Sequence, residues 1–195
     1  VTDKKNLTKG FLSDINPDFI FFPHWSSIIP EEIYKSFNCV IFHMTDLPFG
    51  RGGSPLQNLI ERGFKQTKIS ALKCTSVLDG GPIYLKRPLS LNGTAQEIFN
   101  RASDIILDMI KFIIEKQPEP IEQSGEVVEF KRRTPEQSNL ASIDSLDKTF
   151  DYIRMLDADG YPHAFLETNH LVFEFTEASK NNHELTAKVT IKRKV

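Results

Sequence analysis

Hydrophobic positions in the first part of the chain predict short buried strands separated by a helix. Continuous apolar runs at residues 19–22 and 39–42 are typical of strands that are buried on both faces, as in a parallel sheet. Between them, Pro30 and the two glutamates after it indicate the first turn of a helix that ends near Phe37. The order strand, helix, strand over so short a stretch predicts a βαβ unit.

The clearest helix in the pattern follows a capping box, Thr94-x-x-Glu97. Apolar residues recur at helical spacing from Ile98 to Ile113, which indicates one helix face buried in a core. Pro118 then ends the helix, because proline cannot continue the hydrogen-bond ladder.

The last third of the chain predicts a polar linker followed by a small β unit. Residues 118–144 are mostly polar, with one strand near 127–130, and Asp144 or Ser145 can cap a helix that runs to about Leu156. Three further strand patterns follow, at residues 164–166, 171–175 and 188–191.

These patterns together predict an α/β fold: an open, mostly parallel sheet with flanking helices, plus a small C-terminal β subdomain. We expect the chain to divide into three structural parts. Residues 1–120 form the main α/β domain, 121–160 a linker and connecting helix, and 161–195 the β subdomain.

Charge and cysteine content narrow the function classes. The formal net charge is −2, which predicts no bulk attraction to nucleic acid or to an anionic membrane. Cys39 and Cys74 lie in apolar segments without the spacing of a zinc site, and no apolar run reaches the length of a membrane span. We therefore expect a soluble, cytoplasmic protein without a metal ion or a membrane partner. The basic runs 131–133 and 192–194 are typical of solvated surface.

One group of residues has the arrangement of an acid–base site. His43 directly follows a buried strand, and ligands of open α/β sheets lie beyond the carboxyl ends of the strands. The glycine-rich loop Gly50–Gly53 can offer backbone N–H groups to an anion. Asp79 precedes two glycines, so a close turn can bring its carboxylate to His43 and fix the imidazole tautomer. The same residues are also consistent with a histidine that bonds only to backbone and an aspartate that only turns the chain.

Two linked motifs resemble a known family. The stretch from Phe42 to Pro55, Phe-His-Met-Thr-Asp-Leu-Pro-Phe-Gly-Arg-Gly-Gly-Ser-Pro, resembles the Asn-x-His-x-Ser-Leu-Leu-Pro and Tyr-Arg-Gly-x-x-Pro pattern of the folate-dependent formyltransferases. Downstream, Leu-Asp-Gly-Gly-Pro-Ile from residue 78 is similar to the family's Val-Asp-x-Gly-x-Ile. The segment from Arg154 to Ala164 resembles the one that leads into the C-terminal β subdomain of the tRNA and amino-sugar enzymes.

The resemblance implies transfer of a formyl group from the co-substrate 10-formyltetrahydrofolate to a primary amine, without a metal. His43 and Asp79 match the catalytic residues of the family. The residues expected at the folate are His24, Trp25, Ile29, Leu78 and Gly80. The residues expected at the amine substrate are Thr45, Gly50, Arg51, Gly52 and Gly53.

The chain departs from the family at two points. Ile41 stands where the family has an asparagine that donates a hydrogen bond to the developing oxyanion, and the loss of one such donor typically costs on the order of 10²–10³ in rate. Thr45, another side chain or a backbone N–H would have to replace it. The resemblance also implies that N-terminal strands of the family fold precede residue 1.

Three functions stay open at the level of sequence. The main hypothesis is a formyltransferase that acts on a nucleotide-linked amino sugar or a similar small amine, with a homodimer as a possible assembly. The alternative is a methionyl-tRNA formyltransferase, which we consider less favoured because a tRNA-binding surface requires a larger positive field. The third is a non-catalytic family member, because Ile41 cannot donate a hydrogen bond.

Overall fold

The computed structural model describes residues 4–194. The α-helices are α1 (Lys9–Ile15), α2 (Glu31–Tyr34), α3 (Pro55–Glu61), α4 (Ala95–Lys116) and α5 (Leu146–Arg154). The strands are β1 (Ile20–Phe22), β2 (Cys39–His43), β3 (Phe49–Gly52), β4 (Gln66–Lys73), β5 (Ile83–Ser90), β6 (Val128–Phe130), β7 (Ala164–Glu167), β8 (Leu171–Lys180) and β9 (Leu185–Arg193). Short 3-10 helices lie at Lys4–Asn6 and Pro135–Ser138.

A four-stranded sheet in the order β1-β2-β4-β5 belongs to the first of two compact units, which comprises residues 4–52, 67–89 and 102–129. Strands β1 and β2 are parallel and are joined through α2, so the predicted βαβ unit and the α/β class are confirmed. Strands β2 and β4 pair antiparallel, which makes the sheet mixed. A continuous apolar run indicates burial on both faces but carries no information on the direction of the neighbouring strand.

Burial on both faces of the sheet is found in the middle of β4 and at the start of β2. In β4, Ile69, Ala71 and Leu72 are completely buried. At the start of β2, Cys39 packs into a cluster with Phe22, Ile33 and other apolar side chains of the first 39 residues. In the two predicted apolar runs, Phe22, Cys39 and Val40 are buried, whereas residues 19–21 and 41–42 are half-buried.

Both cysteines lie inside this unit as free thiols. Burial raises the pKa of Cys39 to about 12, and burial together with the Asp79 charge raises the pKa of Cys74 to about 11. Both side chains therefore stay as neutral thiols near pH 7.

The glycine-rich stretch after β2 is more ordered than its composition indicates. We expected a loop, but residues 49–52 form β3, which pairs with β6 in a separate two-stranded sheet. The N–H of Val128 donates to the Pro48 carbonyl at 3.4 Å next to this pair. Glycine has low strand propensity, and the partner strand lies far along the chain, so the local pattern could not predict the pairing.

The second unit comprises residues 53–66, 90–101 and 130–194 and contains the predicted small β subdomain. Strands β7, β8 and β9 form an antiparallel sheet against which α5 packs. Ser145 caps α5, as predicted, because its side chain accepts from the N–H of Lys148. The exact domain ranges 1–120, 121–160 and 161–195 stay a prediction.

The C-terminal basic run is largely neutralised within its own sheet. Lys192 pairs with Glu174 at 2.6 Å, and Lys194 pairs with Glu167 at 2.9 Å. No helix among residues 4–194 is long and apolar enough to cross a bilayer. Within that same range no three His, Cys, Asp or Glu side chains are grouped so that they could hold a metal ion.

Two adjacent isoleucines of α4 test the assignment of its buried face. Ile113 is completely buried, whereas Ile114 is 53% exposed. We expect Ile113→Ala to lower the free energy of unfolding by about 2–5 kcal/mol, because it leaves a cavity in the core. Ile114→Ala is the matched control and should change it by less than about 1 kcal/mol. Urea unfolding of both variants measures the difference, and equal losses would contradict the assigned face.

Candidate active site

His43 is the last residue of β2, and strand alternation sets its direction. Side chains two residues apart share a face of a strand, so His43 lies on the same face as Ile41 and Cys39. Cys39 and Ile41 pack in the apolar cluster of the first unit. His43 is the first polar side chain on that face and is only 8% exposed.

Both ring nitrogens of His43 face hydrogen-bond acceptors. Nε2 lies 2.7 Å from the carbonyl oxygen of Gly50, and Nδ1 lies 3.5 Å from Oδ2 of Asp79. A carbonyl accepts and cannot donate, so Nε2 must carry a proton in this arrangement. Asp79 Oδ2 is the acceptor nearest to the other ring nitrogen. The imidazole is thus held between a carbonyl oxygen and a carboxylate oxygen.

The Asp79 carboxylate is itself fixed by the glycine-rich stretch. The backbone N–H of Gly52 donates to Asp79 Oδ2 at 2.9 Å, so the same oxygen faces both Gly52 and His43. Asp79 is buried and adopts a left-handed backbone conformation with φ 50°, which is uncommon for a residue other than glycine. The predicted approach of Asp79 to His43 is therefore present in the structure.

The turn after Asp79 requires a glycine at position 81. A Cβ atom at Gly81 would lie 1.9 Å from the carbonyl oxygen of Lys73, far inside any allowed contact. The N–H of Lys73 also donates to the Pro82 carbonyl at 2.8 Å. Close packing of the turn against the end of β4 thus places the Asp79 backbone.

Sequence reasoning missed Gln123. Its Nε2 donates to the carbonyl oxygens of Asp79 and Gly81, at 2.8 and 2.9 Å, and its Oε1 accepts from the Arg51 guanidinium. Gln123 lies in the polar stretch after α4, where neither periodicity nor a motif distinguishes one amide from another.

Thr45, expected at the substrate, is completely buried. Its hydroxyl donates to the Gly50 carbonyl at 3.3 Å, the same oxygen that accepts from His43. Ser70 donates to the Thr45 carbonyl at 2.7 Å. The Thr45 hydroxyl is therefore already engaged in holding the loop.

The residues expected at the folate occupy different environments. His24 Nε2 lies 2.9 Å from the Ser103 hydroxyl, and burial lowers the pKa of His24. The rings of Trp25 and Phe22 are arranged edge to face, with their centroids 5.6 Å apart. The buried Nε1 of Trp25 has no hydrogen-bond partner among residues 4–194. Ile29 belongs to the core, whereas Leu78 is 69% exposed.

The remaining glycines lie at close contacts. A Cβ atom at Gly80 would meet the Val77 side chain at 2.4 Å. Gly53 belongs to the second unit, where its N–H donates to the Phe130 carbonyl at 3.0 Å and an added Cβ would meet Arg132 at 2.5 Å.

Arg154, part of the resemblance, is also in the second unit. Its guanidinium is buried and donates to the carbonyl oxygens of Leu91 and Gly93. It joins α5 to the segment before α4 and makes no contact that indicates a ligand.

Comparison with solved structures identifies the family. The chain is similar to methionyl-tRNA formyltransferase from Clostridium thermocellum, with 54% sequence identity, a TM-score of 0.97, and coverage of 100% of this chain and 86% of that one. The chain belongs to the folate-dependent formyltransferase family. The family and the fold that the two motifs predict are thereby confirmed.

Three other similarities set the limits of this identification. A family model for the C-terminal domain of methionyl-tRNA formyltransferase matches residues 135–192. Methionyl-tRNA formyltransferase from Rickettsia massiliae is 26% identical over 200 residues, which cover 98% of this chain and 66% of that protein. The chain thus spans about two thirds of the length of this curated relative. A 4-N formyltransferase from Francisella tularensis shares the fold, with a TM-score of 0.66 and 16% identity.

The tight turn at Gly81 gives a direct test of the geometry. Gly81→Ala should lower the free energy of unfolding by more than about 1 kcal/mol, because the new methyl group overlaps the Lys73 carbonyl. Gly10→Ala is the control: a Cβ there meets nothing within 4 Å in α1, so it should stabilise by about 0.4–1 kcal/mol. Thermal and urea unfolding measure both changes. A Gly81→Ala protein as stable as the wild type would show that the turn is placed differently.

Proposed function

We propose that the protein transfers a formyl group from 10-formyltetrahydrofolate to the amino group of methionyl-tRNA. The observation that carries the proposal is the 54% identity to the Clostridium thermocellum methionyl-tRNA formyltransferase along the whole chain. This identity favours methionyl-tRNA, the alternative substrate from the sequence, over the main hypothesis of a nucleotide-linked amino sugar. The Francisella tularensis 4-N formyltransferase is only 16% identical and supports a common fold alone.

His43 is the proposed hydrogen-bond donor to the formyl oxygen. The folate carries the formyl group, and the substrate amine forms the new C–N bond as the bond from the formyl carbon to N10 of the folate breaks. His43 Nε2–H, which donates to Gly50 in this structure, would exchange that acceptor for the formyl oxygen as negative charge develops there. The Gly50 carbonyl oxygen and the formyl oxygen are both hydrogen-bond acceptors, so the His43 Nε2–H has a partner before and after the exchange.

Asp79 is proposed to stabilise the positive charge of His43 throughout this exchange. Its Oδ2 remains tied to the Gly52 N–H, so it keeps its position while Nε2 changes partner. The proton that the amine loses passes through water to N10 of the leaving folate, so the Asp79 carboxylate keeps its charge beside His43.

A polar group of the folate could pair with Trp25. Its indole N–H is buried and has no partner within the described part of the chain, and a buried unpaired donor is costly. His24, beside it in the sequence, is held by Ser103. These two residues fit the expected contacts with the pterin, while the core position of Ile29 fits a role behind the pocket wall.

Ile41 leaves His43 as the principal donor to the oxyanion. The Ile41 side chain packs in the apolar cluster, and the Thr45 hydroxyl, a candidate replacement, already donates to Gly50. We therefore expect a formyltransferase that is about 10²–10³ slower than one with an additional donor. If the missing donor lowers the rate to nothing measurable, the protein is a family member without catalysis.

The proposed phosphate contacts of the tRNA come from Lys131 and Arg132. Both side chains are exposed, and neither has an acidic partner within ion-pair distance among the described residues. Arg133 differs, because it pairs with Glu61 at 2.5 Å. Lys192 and Lys194 are neutralised by glutamates and are poor candidates. The homodimer and the cytoplasmic location stay predictions.

A panel of amines tests the proposed substrate. The purified protein would receive 10-formyltetrahydrofolate with methionyl-tRNA or with dTDP- and UDP-linked amino sugars, and tetrahydrofolate release would be measured. We expect release with methionyl-tRNA only, and its loss in His43→Asn. Replacing Lys131 and Arg132 by alanine should raise KM for methionyl-tRNA several-fold, because each phosphate contact adds affinity that falls with salt. Lys192→Ala is the matched control and should leave KM unchanged.

Three outcomes would contradict the proposal. Release with an amino sugar and not with methionyl-tRNA would restore the main hypothesis of the sequence analysis. No release with any amine, in the wild type and in Ile41→Asn alike, would establish a non-catalytic member. Release that appears only in Ile41→Asn would assign the loss to the missing donor.

A further inference from the structure

The side-chain amide of Gln123 uses its whole hydrogen-bonding capacity at the candidate site. Its two N–H donors reach the carbonyl oxygens of Asp79 at 2.8 Å and Gly81 at 2.9 Å. Its oxygen accepts from Arg51 Nε at 3.2 Å and from Nη2 at 2.8 Å. An amide has two donors and two acceptor sites, so none is left over.

Only one orientation of this amide places its donors and its acceptor against matching partners. Turning the amide around would place its NH₂ group against the Arg51 guanidinium and its oxygen against two carbonyls, with no hydrogen bond on either side. The backbone before it is also anchored, since Ile121 and Ile83 exchange two N–H···O bonds of 2.8 and 2.9 Å. Gln123 is thus a fixed point beside the turn that carries Asp79.

Gln123 closes a ring of contacts around the Asp79 carboxylate. The ring runs from the Asp79 carbonyl to Gln123, then to the Arg51 guanidinium, along the chain to Gly52, and back through the Gly52 N–H to Asp79 Oδ2. The carboxylate and the backbone of one residue are therefore held by the same loop. Breaking the ring at Gln123 frees both the turn and the guanidinium.

The backbone of Asp79 needs such support. Its φ of 50° lies in the left-handed region, which is unfavourable for a non-glycine residue and persists only where the surroundings over-determine it. Gln123 supplies two of the hydrogen bonds that do so. Without them, the turn can relax toward φ below zero and carry the carboxylate away from His43.

We propose that Gln123 is a positioning residue, which holds the Asp79 carboxylate against His43. Gln123 makes no contact with His43 itself and acts through Asp79. The kinetic part of this inference rests on the proposed formyl transfer, whereas its structural part does not. Two readouts therefore keep the two proposals separate.

The ring signals of His43 are the first readout. The protein contains five histidines, so ¹⁵N-histidine labelling gives few signals, and His43→Asn identifies those of His43. Gln123→Ala removes all four hydrogen bonds of the amide. Gln123→Glu keeps the shape and the acceptor for Arg51 but removes both donors to the turn. We expect both variants to shift the His43 signals in the direction that Asp79→Asn shifts them, while the other four histidines stay in place.

The second readout is the separation of kcat from KM. Displacement of the carboxylate by about 1 Å should lower kcat for formyl transfer by roughly 10–100-fold, with KM for the folate little changed. Gln96→Ala is the matched control. Gln96 is also half-buried and also uses both ends of its amide, on Asn100 and Asp159, but it lies in the second unit, so it should affect neither readout.

Clear results would overturn the inference. His43 signals unchanged in Gln123→Glu, or a change in KM with kcat preserved, would assign Gln123 a structural or binding role only. If Gln123→Ala does not fold, Gln123→Glu decides by the same criteria. If the wild type transfers no formyl group to any amine, the proposed function fails, and the His43 signals alone still decide the position of Asp79.

Discussion

The Asp79 carboxylate is the point at which three segments of the first unit meet. One of its oxygens accepts from the Gly52 N–H at 2.9 Å and faces His43 Nδ1 at 3.5 Å. The other side of the His43 ring is held by the Gly50 carbonyl at 2.7 Å. The end of β2, the strand β3 and the turn at residues 79–81 therefore depend on one charge. The left-handed Asp79 backbone, the glycine at 81 and the Gln123 amide are arranged so that this charge lies beside the histidine.

The sequence predicted the elements whose signals are local and left out those that depend on distant partners. The apolar runs of β1 and β2, the capping box of α4 and the Ser145 cap of α5 each depend on neighbouring residues, and all are present. The antiparallel pairing of β2 with β4 and of β3 with β6 depends on the path of the chain. Gln123 could not be predicted, because an amide in a polar stretch has no pattern of its own. The burial of Thr45 was also missed, since the motif marks its position and not its direction.

Ile41 leaves the fold and the family assignment unchanged but lowers the expected rate of formyl transfer. Strand alternation places position 41 on the face of His43, which is where a hydrogen-bond donor could reach the same reacting group. An isoleucine there extends the apolar cluster up to the histidine, which strengthens packing and removes a donor. A range of rates is thus compatible with the fold, the His43–Asp79 geometry and the family. The rate depends on how strongly His43 alone stabilises the oxyanion.

A double-mutant cycle of His43 and Asp79 tests the central claim, that the two residues act as one unit. The rate of formyl transfer would be measured for His43→Ala, Asp79→Asn and the double variant. If Asp79 acts through His43, the double variant should be no slower than His43→Ala, because the second change removes nothing more. Losses that multiply in the double variant would contradict the account. They would show that the carboxylate and the imidazole contribute independently.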